Sequence, residues 1–373
     1  MKALALINTK LITADLAEYM KPIMIANNEV QCGLIDVPQP SFDSDNEVNK
    51  DYVLVRVKAF SCNYRDKAII LKSALKMKLN EPSLTQPVAF FGSDFVGTII
   101  SKGKAVENVE IGDRVIPDCY YPDVAYEGIA PGVVTNEASK GWLRLHKSKI
   151  MKITEEVSDA IAAGFSIGAQ TSHSMIRRTN ITCKEKALVF SGRSHTSLFI
   201  TKSLLKLGVD TTVLTTSEWT KEQEEFIKPA RLVKIERRSK KKIWEENSLG
   251  KYDVVFDPFF DLHLLTSVNM LKLNGRYITC GFKNQHNDFK EVQDDLYEMN
   301  TMNVMLTTMI NNLSIIGNCI GTTQDLYDQI QSYDAKHPLI AIEKILDVTQ
   351  GSEFLDLTYN DKNRFGKVIM KYI

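Results

Sequence analysis

Short apolar runs separated by glycine and proline turns dominate the first part of the chain. The run Val53–Lys58 ends in an alternation of apolar and polar residues, which is typical of a half-buried strand. We expect Asp15–Asn28 to form an added loop or a short helix before a strand near Gly33–Val37. So many short strands predict a distorted β-barrel. The other strands predicted here are Val88–Phe91, Phe95–Ile100, Val115–Pro117 and Leu143–Ile153.

From residue 156 the pattern changes, because apolar residues now recur at helical spacing between the strands. Glu156–Arg178 predicts a helix, with Ser158 as its candidate N-cap. Strands that alternate with helices indicate a parallel, doubly wound sheet. The strands are predicted at Ala187–Phe190, Thr212–Leu214, Tyr252–Asp257 and Gly275–Gly281, and the helices at Leu198–Leu207, Glu222–Lys228 and His263–Leu273. The tail from about Thr322 predicts a helix and a closing strand, Lys367–Met370.

The stretch Lys186–Ser217 reads as strand, tight turn, helix and strand, the first half of a dinucleotide-binding fold. The full fingerprint of that fold has three glycines in the turn. Here Gly192 is present, but Ser194 and Ser197 hold the second and third places. Because serine is small and can donate to phosphate, the stretch fits a weakened cofactor site. It also fits an ordinary βαβ unit that binds nothing.

The amino-acid composition limits the classes of partner and the cellular location that are expected for this protein. Lys+Arg and Asp+Glu both number 46, so the formal charge is zero, which argues against nucleic acid or an anionic membrane as the main partner. No segment approaches a membrane span, and the first residues lack a basic leader with a cleavage site. The 6 cysteines form no CxxC pair and no structural-zinc spacing. We therefore expect reduced thiols and a cytoplasmic location.

The order of these elements and a set of short motifs resemble the medium-chain dehydrogenase/reductase superfamily, which includes zinc alcohol dehydrogenases, quinone reductases and acryloyl-CoA-type enoyl reductases. The resemblance implies an α/β oxidoreductase with two domains and an active site in the cleft between them. Residues 1–155 and 322–373 would form a GroES-like catalytic domain, and residues 156–321 a Rossmann NADP-binding domain. We also expect a homodimer. The motifs are Ser61–Asp66, Gly92–Gly97, Gly112–Val115, Ala162–Ala163, Gly168–Thr171, Asn274–Tyr277, Leu313–Gly317 and Phe365–Val368.

Zinc alcohol dehydrogenases of this superfamily bind their catalytic zinc through a Cys, a His and a second Cys. Matching the motifs places Asn63 at the first position, Ser93 at the second, and Phe165 or Ser166 near the third. None of these is a good zinc ligand, because zinc prefers thiolate, imidazole or carboxylate. Cys62 is one residue away from the first position, and the four-cysteine structural lobe is missing. We therefore predict no zinc.

The zinc-free branch with an Asn-Tyr-Arg/Lys-Asp motif resembles enoyl and acryloyl reductases. There NADPH gives a hydride to the β-carbon of an activated C=C, and hydrogen-bond donors stabilise the enolate-like oxygen. The resemblance implies that Asn63 and Tyr64 are such donors, that Tyr64 is also the general acid, and that Arg65 holds a substrate carboxylate or phosphate. Alternatively, Arg65 and Asp66 form a local ion pair and Tyr64 packs in the cleft wall.

The end of the second nucleotide-domain strand favours NADPH over NADH. NAD-specific folds place Asp or Glu there to bind the ribose 2′-OH, whereas Thr216 and Ser217 stand here, followed by Lys221. Hydroxyls and a lysine suit a 2′-phosphate, although a Glu218 carboxylate pointing inward would repel it. Further cofactor contacts are expected from Thr171, Gly192, Ser194 and Thr196, and the resemblance implies that Cys280, Gly281 and Phe282 lie beside the nicotinamide. Arg193 either adds a phosphate contact or is an exposed surface arginine, and His195 either bonds to the pyrophosphate or crowds the site.

The substrate stays open between an enone, an enoyl thioester and a dehydroamino acid in a peptide, such as the dehydroalanine that related lanthipeptide tailoring enzymes reduce. Two other functions also stay open. One is a zinc-type alcohol dehydrogenase or ketone reductase with relocated ligands. The other is a degenerate dehydrogenase fold that acts as a non-enzymatic binding protein, which the loss of two fingerprint glycines favours.

Overall fold

The computed structural model describes residues 1–79, 86–235, 249–283 and 301–372. The basic run Arg237–Lys242, predicted to be solvated, lies outside these residues. The first compact unit comprises residues 1–167, 333–336 and 342–373, and the second comprises residues 168–332 and 337–341. The domain boundaries inferred from the resemblance stay predictions; this division assigns residues 156–167 to the first unit and 322–332 to the second. Within the described ranges, no helix is long and apolar enough to cross a membrane.

The elements follow in this order. Along the first part of the chain they are β1 (Lys2–Ile7), β2 (Ala17–Tyr19), β3 (Ile23–Ile25), β4 (Asn28–Val30), β5 (Cys32–Asp36), β6 (Tyr52–Ser61), α1 (Asp66–Lys78), β7 (Val88–Ala89), β8 (Asp94–Lys102), β9 (Arg114–Pro117), β10 (Trp142–His146), β11 (Ile150–Lys152) and α2 (Asp159–Ala162). Next come α3 (Ser166–Thr179), β12 (Lys186–Val189), α4 (His195–Lys206), β13 (Asp210–Thr215), α5 (Lys221–Phe226), β14 (Arg231–Lys234), β15 (Tyr252–Asp257), α6 (Phe260–Asn269), β16 (Leu271–Thr279), α7 (Thr301–Ile310), β17 (Ser314–Gly317) and α8 (Thr323–Gln331). The chain closes with β18 (Ile342–Asp347), α9 (Gly351–Tyr359) and β19 (Lys367–Lys371).

Strand β6 is central to the first unit. It pairs antiparallel with β8, β10 and β19 in a sheet ordered β11-β9-β8-β6-β19-β18. The predicted alternation holds, because Val53, Val55 and Val57 are buried while Arg56 is exposed. A second sheet, β2-β5-β1-β7, and the hairpin β3-β4 complete the strand pairing of this unit. This arrangement positions the C-terminal end of β6, where the motif Ser61–Asp66 begins.

The prediction of a loop or helix over Asp15–Asn28 is wrong, because β2, β3 and most of the β3-β4 hairpin lie there. The two turn residues of that hairpin, Ala26 and Asn27, have φ angles of +46° and +61°. Such two-residue turns usually carry Asn-Gly or Asp-Gly. Alanine rarely adopts a positive φ, so the usual sequence signal of a hairpin is absent here.

The second unit is built around a six-stranded parallel sheet in the order β14-β13-β12-β15-β16-β17. Counted along the chain within this unit, the order is 3-2-1-4-5-6, that of the Rossmann fold, which confirms the predicted doubly wound sheet. Leu188, Val255 and Tyr277 are buried in its core. Dinucleotides bind such sheets outside the carboxyl ends of the strands, where the strand order reverses. In this unit that point lies between β12 and β15.

Other segments also differ from the sequence prediction. The single helix predicted over Glu156–Arg178 is two helices, α2 and α3, separated by residues 163–165. The helix expected over His263–Leu273 ends at Asn269, and β16 already begins at Leu271, which pairs with Tyr252. The apolar residues near this junction suit a helix face as well as a buried strand, so their spacing alone does not locate the boundary. The helices α7 and α9 were not predicted from the sequence.

Candidate functional site

The predicted catalytic loop, Asn63–Arg65, connects β6 to α1 and lies over a group of buried polar side chains. We call this group, Asp66, Ser93, Asp94 and Lys367, the buried polar cluster. Their exposed fractions are 1%, 0%, 0% and 3%. Asp94 begins β8 opposite Ser61, and Lys367 begins β19, which pairs with β6 three to four residues further on. The cluster therefore forms because β8 and β19 both pair with β6.

The carboxamide of Asn63 is fully engaged with this cluster. Its Nδ2 group donates to Ser93 Oγ at 3.0 Å and to Asp94 Oδ2 at 2.8 Å. Its Oδ1 accepts from Lys367 Nζ at 2.6 Å. A carboxylate beside the nitrogen and an ammonium beside the oxygen fix the orientation of the amide. Because both amide hydrogens are used, donation from Asn63 to an enolate oxygen would require one of these bonds to break, and that predicted role stays untested.

The backbone of Asn63 is held as well. Its N–H donates to Asp66 Oδ2 at 2.8 Å, and its carbonyl accepts from the Tyr359 hydroxyl at 3.3 Å. Ser93 Oγ donates to the same Asp66 oxygen at 2.6 Å. Main chain and side chain of Asn63 are therefore tied to α1, β8, α9 and β19, which leaves the start of the loop little freedom.

The cluster combines two carboxylates with one ammonium. Burial raises the pKa of the Asp66 carboxyl, although the Ser93 hydrogen bond and the positive charge of Arg65 oppose that shift. Burial also lowers the pKa of Lys367, which the nearby carboxylates of Asp94 and Asp66 oppose. Lys367 Nζ lies 3.5 Å from Asp94 Oδ2. The ionised states of Asp66 and Lys367 therefore depend on their charged neighbours.

Arg65 and Tyr64 lie at the half-buried rim of the loop. Arg65 Nη1 donates to Asp66 Oδ1 at 3.1 Å and to Asn136 Oδ1 at 2.8 Å. The local ion pair considered from the sequence is therefore present. A guanidinium has five N–H donors, so this pairing leaves capacity for an anionic substrate group. The Tyr64 ring has the Lys67 ammonium 5.7 Å from its centroid. The predicted catalytic roles of Tyr64 and Arg65 stay predictions.

The side chains at the positions matched to the zinc ligands of zinc alcohol dehydrogenases do not fit a catalytic zinc. Asn63 offers an amide whose oxygen already accepts from Lys367, and Ser93 offers a hydroxyl that donates to Asp66. Ser166 is a buried hydroxyl. Burial and the charge of Asp66 hold the pKa of the Cys62 thiol well above its usual value, which disfavours the thiolate that zinc binds. Among the described residues, no group of three or more His, Cys, Asp or Glu is placed to hold a metal ion.

In the second unit, Gly192 is required by the tight turn after β12. A Cβ at this position would lie 2.4 Å from Val213 Cγ1 and 3.0 Å from the Leu214 carbonyl oxygen. The Gly192 N–H donates to that same carbonyl at 2.8 Å. The turn is thereby packed directly onto β13. The preceding residue, Ser191, has a φ of +54°.

The two serines that replace fingerprint glycines have structural roles. Ser194 is the N-cap of α4, and its Oγ accepts from the Ser197 N–H at 3.1 Å. The buried Ser197 hydroxyl donates to the Phe190 carbonyl at 2.7 Å and accepts from Ser194 Oγ at 2.8 Å. Close packing of helix on strand, the usual task of the third glycine, is achieved here with a hydrogen-bonded hydroxyl.

The residues predicted to select NADPH lie around the end of β13. Thr216 is exposed, Ser217 is half-buried, and the exposed Lys221 begins α5. The Arg193 guanidinium contacts the segment between Ser217 and Lys221: it lies 5.8 Å from the Trp219 ring centre and donates to the Glu218 carbonyl. The Glu218 carboxylate forms an ion pair with Lys234. Its charge, the feature that argued against NADPH, is therefore paired.

The remaining predicted cofactor residues lie in three other places: the start of α4, α3 and the segment after β16. His195 is buried at the start of α4, with its ring edge-on to Phe199 at 5.1 Å and against Gly168. Thr171 is buried in α3. Cys280, Gly281 and Phe282 follow β16, with the exposed Phe282 ring 5.9 Å from that of Phe260. These contacts, together with those of Thr196, stay predictions.

Sequence reasoning did not assign a role to Lys367. The only signal was its place in the motif Phe365–Val368. Its burial beside Asn63 and Asp94, more than two hundred residues away in the chain, depends on strand pairing that no local pattern reveals.

Comparison with known proteins confirms the predicted resemblance to the medium-chain dehydrogenase/reductase superfamily. Residues 49–138 match the family model "Alcohol dehydrogenase GroES-like domain". An acryloyl-coenzyme A reductase from Sulfurisphaera tokodaii is 24% identical over 94% of this chain and 100% of its own length. A zinc-type alcohol dehydrogenase-like protein from Schizosaccharomyces pombe is 23% identical over 93% and 98%.

A solved structure supports the fold. The 2-octenoyl-CoA carboxylase reductase in complex with NADP and 2-octenoyl-CoA has a TM-score of 0.70 and 15% identity, covering 100% of this chain and 87% of that chain. At this level of identity the likeness establishes the fold alone.

Proposed function

Because the chain has the two-unit fold of the medium-chain dehydrogenase/reductase superfamily and carries its GroES-like domain, we propose that it is a zinc-independent, NADPH-dependent reductase of activated C=C bonds. When bound, NADPH supplies the hydride that adds to the β-carbon. The observation that carries the proposal is the hydrogen bonding of the residues at the positions matched to the zinc ligands of zinc alcohol dehydrogenases. There Asn63 and Ser93 are bonded to each other and to Asp94, Asp66 and Lys367 rather than offering lone pairs to a metal.

Without a metal, the developing negative charge on the substrate oxygen needs hydrogen-bond donors. Since both amide hydrogens of Asn63 are used in the cluster, we assign the principal donor role to the Tyr64 hydroxyl. Arg65 would bind an anionic group of the substrate, such as a phosphate or carboxylate. We propose an enoyl thioester as the substrate class. This choice is supported by the relative that is an acryloyl-coenzyme A reductase.

We expect the EDTA-treated protein to oxidise NADPH in the presence of acryloyl-CoA or 2-octenoyl-CoA. The panel includes a free enone, a dehydroalanine peptide and a simple ketone, with zinc content measured by mass spectrometry. Turnover of the peptide alone would assign the dehydroamino acid class. Stoichiometric zinc together with ketone reduction would contradict the proposal and favour the alcohol dehydrogenase alternative. No thermal stabilisation by millimolar NADPH or NADH would favour a non-enzymatic binding protein.

The cofactor preference is tested at Arg193. We expect Arg193→Gln to weaken NADPH binding by about tenfold or more while NADH binding changes little, because a charge-assisted bond to the 2′-phosphate contributes roughly 1.5–3 kcal/mol. Fluorescence titration with both cofactors measures the ratio. Lys221→Gln should act in the same direction. The exposed Lys228, also in the second unit, supplies the control Lys228→Gln. Equal weakening of both cofactors would show that Arg193 only supports the turn.

The homodimer and the cytoplasmic location expected from the sequence stay proposals. An observation consistent with a dimer is that β17 is the outermost strand of its sheet, with Ile315 exposed. An exposed edge strand can pair with a second copy.

A further inference from the structure

Lys367 is a buried cation beside the predicted catalytic loop, where a positive charge can support the site of a reductase that has no metal. Its side chain is 3% exposed, and its ammonium lies 2.6 Å from Asn63 Oδ1 and 3.5 Å from Asp94 Oδ2. Burying a charge is unfavourable unless the charge is paired and hydrogen-bonded. The exposed Lys371 on the same strand shows that β19 can carry a lysine in water. Burial at position 367 therefore calls for an explanation.

We propose that Lys367 is the positioning residue of the substrate site: its ammonium locks the carboxamide of Asn63 and thereby holds Tyr64 and Arg65 in their working arrangement. The proposal rests on the function proposed above, because it gives Tyr64 and Arg65 their roles at that site. Lys367 itself lies beneath the loop and acts through Asn63.

The direction of the hydrogen bonds supports this role. A carboxamide can rotate by half a turn and exchange its oxygen and nitrogen, and only the partners decide which orientation holds. An ammonium has three donors and no acceptor, so it accepts only the orientation with Oδ1 facing it. That orientation directs Nδ2 at Ser93 and Asp94. Lys367 therefore selects one of the two orientations of Asn63.

The backbone makes Lys367 a rigid support. It is the first residue of β19, paired with Ile342 of β18, and the same strand pairs with β6 through Met370 and Phe60. The loop that it steadies begins directly after β6. The position of the ammonium is thus set by the same sheet that carries the loop, and a fixed support of this kind preorganises the residues that depend on it.

The cluster needs the positive charge as well. Asp66 and Asp94 are both buried. Ser93 donates to Asp66 and accepts from Asn63, and the Asn63 amide also donates to Asp94. Without the ammonium, two carboxylates would remain in this interior, one of them paired with the half-exposed Arg65. Removing one partner of a buried charged group leaves the other uncompensated. We therefore expect Asn63 and its loop to move when Lys367 is lost.

Three substitutions separate the contributions. Lys367→Met removes both charge and donors, Lys367→Gln keeps a neutral N–H donor, and Lys367→Arg keeps the charge. Lys371→Met, on the same strand, is the matched control. We expect Lys367→Met to lower kcat with the preferred enoyl thioester at least tenfold and to leave the Kd for NADPH within twofold. Lys367→Arg should recover part of kcat, and Lys371→Met should match the original protein.

A coupling measurement tests the contact without depending on activity. Asn63→Leu, Lys367→Gln and the double variant are compared by thermal unfolding. If Lys367 acts through Asn63, the fall in Tm of the double variant is smaller than the sum of the two single falls. The kcat losses should be non-additive in the same way.

The outcomes distinguish this inference from the proposed function. If the unaltered protein reduces no member of the panel but the coupling in Tm is present, the proposed reaction fails and the contact stands. If the protein is active and Lys367→Met and Lys367→Gln both keep its kcat, the positioning role is overturned. Additive falls in Tm and kcat would overturn it as well, since Lys367 would then not act through Asn63. If Lys367→Met does not fold, the Lys367→Gln variant carries the comparison.

Discussion

Gly192→Val is expected to abolish NADPH binding and to lower the free energy of unfolding by about 3 kcal/mol, at the upper end for overpacking in a close-packed interior. The Cβ alone would lie 2.4 Å from Val213 Cγ1 and 3.0 Å from the Leu214 carbonyl oxygen. Part of that contact is backbone of β13, which cannot move without breaking the pairing with β12 and β14. The turn must therefore shift outwards, into the space where a pyrophosphate would bind.

Gly317→Ala provides the control for this prediction. A Cβ at Gly317, at the end of β17 in the same unit, would meet no atom within 4 Å. Its stability and its affinity for NADPH should match those of the original protein. Denaturant unfolding and fluorescence titration measure the two quantities. A Gly192→Val variant that is destabilised but keeps full NADPH affinity would show that the turn is not the cofactor site.

The structure changes the meaning of the missing glycines. From the sequence, the loss of two of them favours a degenerate fold. The turn nevertheless keeps its close packing, because the Ser197 hydroxyl bonds to the Phe190 carbonyl and Ser194 caps α4. The feature that favoured a degenerate fold is thus a change in how the turn is held, and cofactor titration remains the test of binding.

The fold could be predicted where burial follows a short period. The strands of the second unit are apolar runs between helical segments, and their alternation is sufficient to predict a parallel sheet. The boundaries between elements were less predictable. Near Leu271, for example, the same apolar residues suit the end of a helix and the beginning of a buried strand. The hairpin at Ala26–Asn27 was missed because its turn residues adopt positive φ angles without the usual glycine.

The candidate site was predictable only in part. The motif Ser61–Asp66 located the loop, since its residues are adjacent in the chain. The partners that hold it could not be found in this way, because Ser93 and Lys367 reach Asn63 through the pairing of β8 and β19 with β6. The local sequence also did not reveal that both amide hydrogens of Asn63 are already used.

Because both amide hydrogens of Asn63 are used, Tyr64 is the principal donor in the proposed reaction. Tyr64→Phe is expected to lower kcat about a hundredfold, the lower end of what general acid catalysis contributes. The phenol would donate a hydrogen bond to the enolate oxygen and then give its proton to the α-carbon, after which water reprotonates the tyrosinate. Phenylalanine keeps the ring while losing both functions. The KM for NADPH should stay unchanged. Stopped-flow measurement of NADPH oxidation in H₂O and D₂O should show that the solvent isotope effect on the proton step is altered in the variant.

Tyr121→Phe, at an exposed tyrosine of the same unit, is the matched control and should leave kcat unchanged. A Tyr64→Phe variant with full turnover would remove Tyr64 as donor and acid. The remaining donor of the loop would then be Arg65, and Arg65→Gln should reduce kcat as well as substrate affinity. Because Asn63 is tied to Lys367, equal losses of kcat in Asn63→Leu and Lys367→Met would indicate a displaced loop, whereas a much larger loss in Asn63→Leu would indicate a lost donor. The order of kcat values among these variants therefore distinguishes the residue that reacts with the substrate from the residues that hold that residue in position.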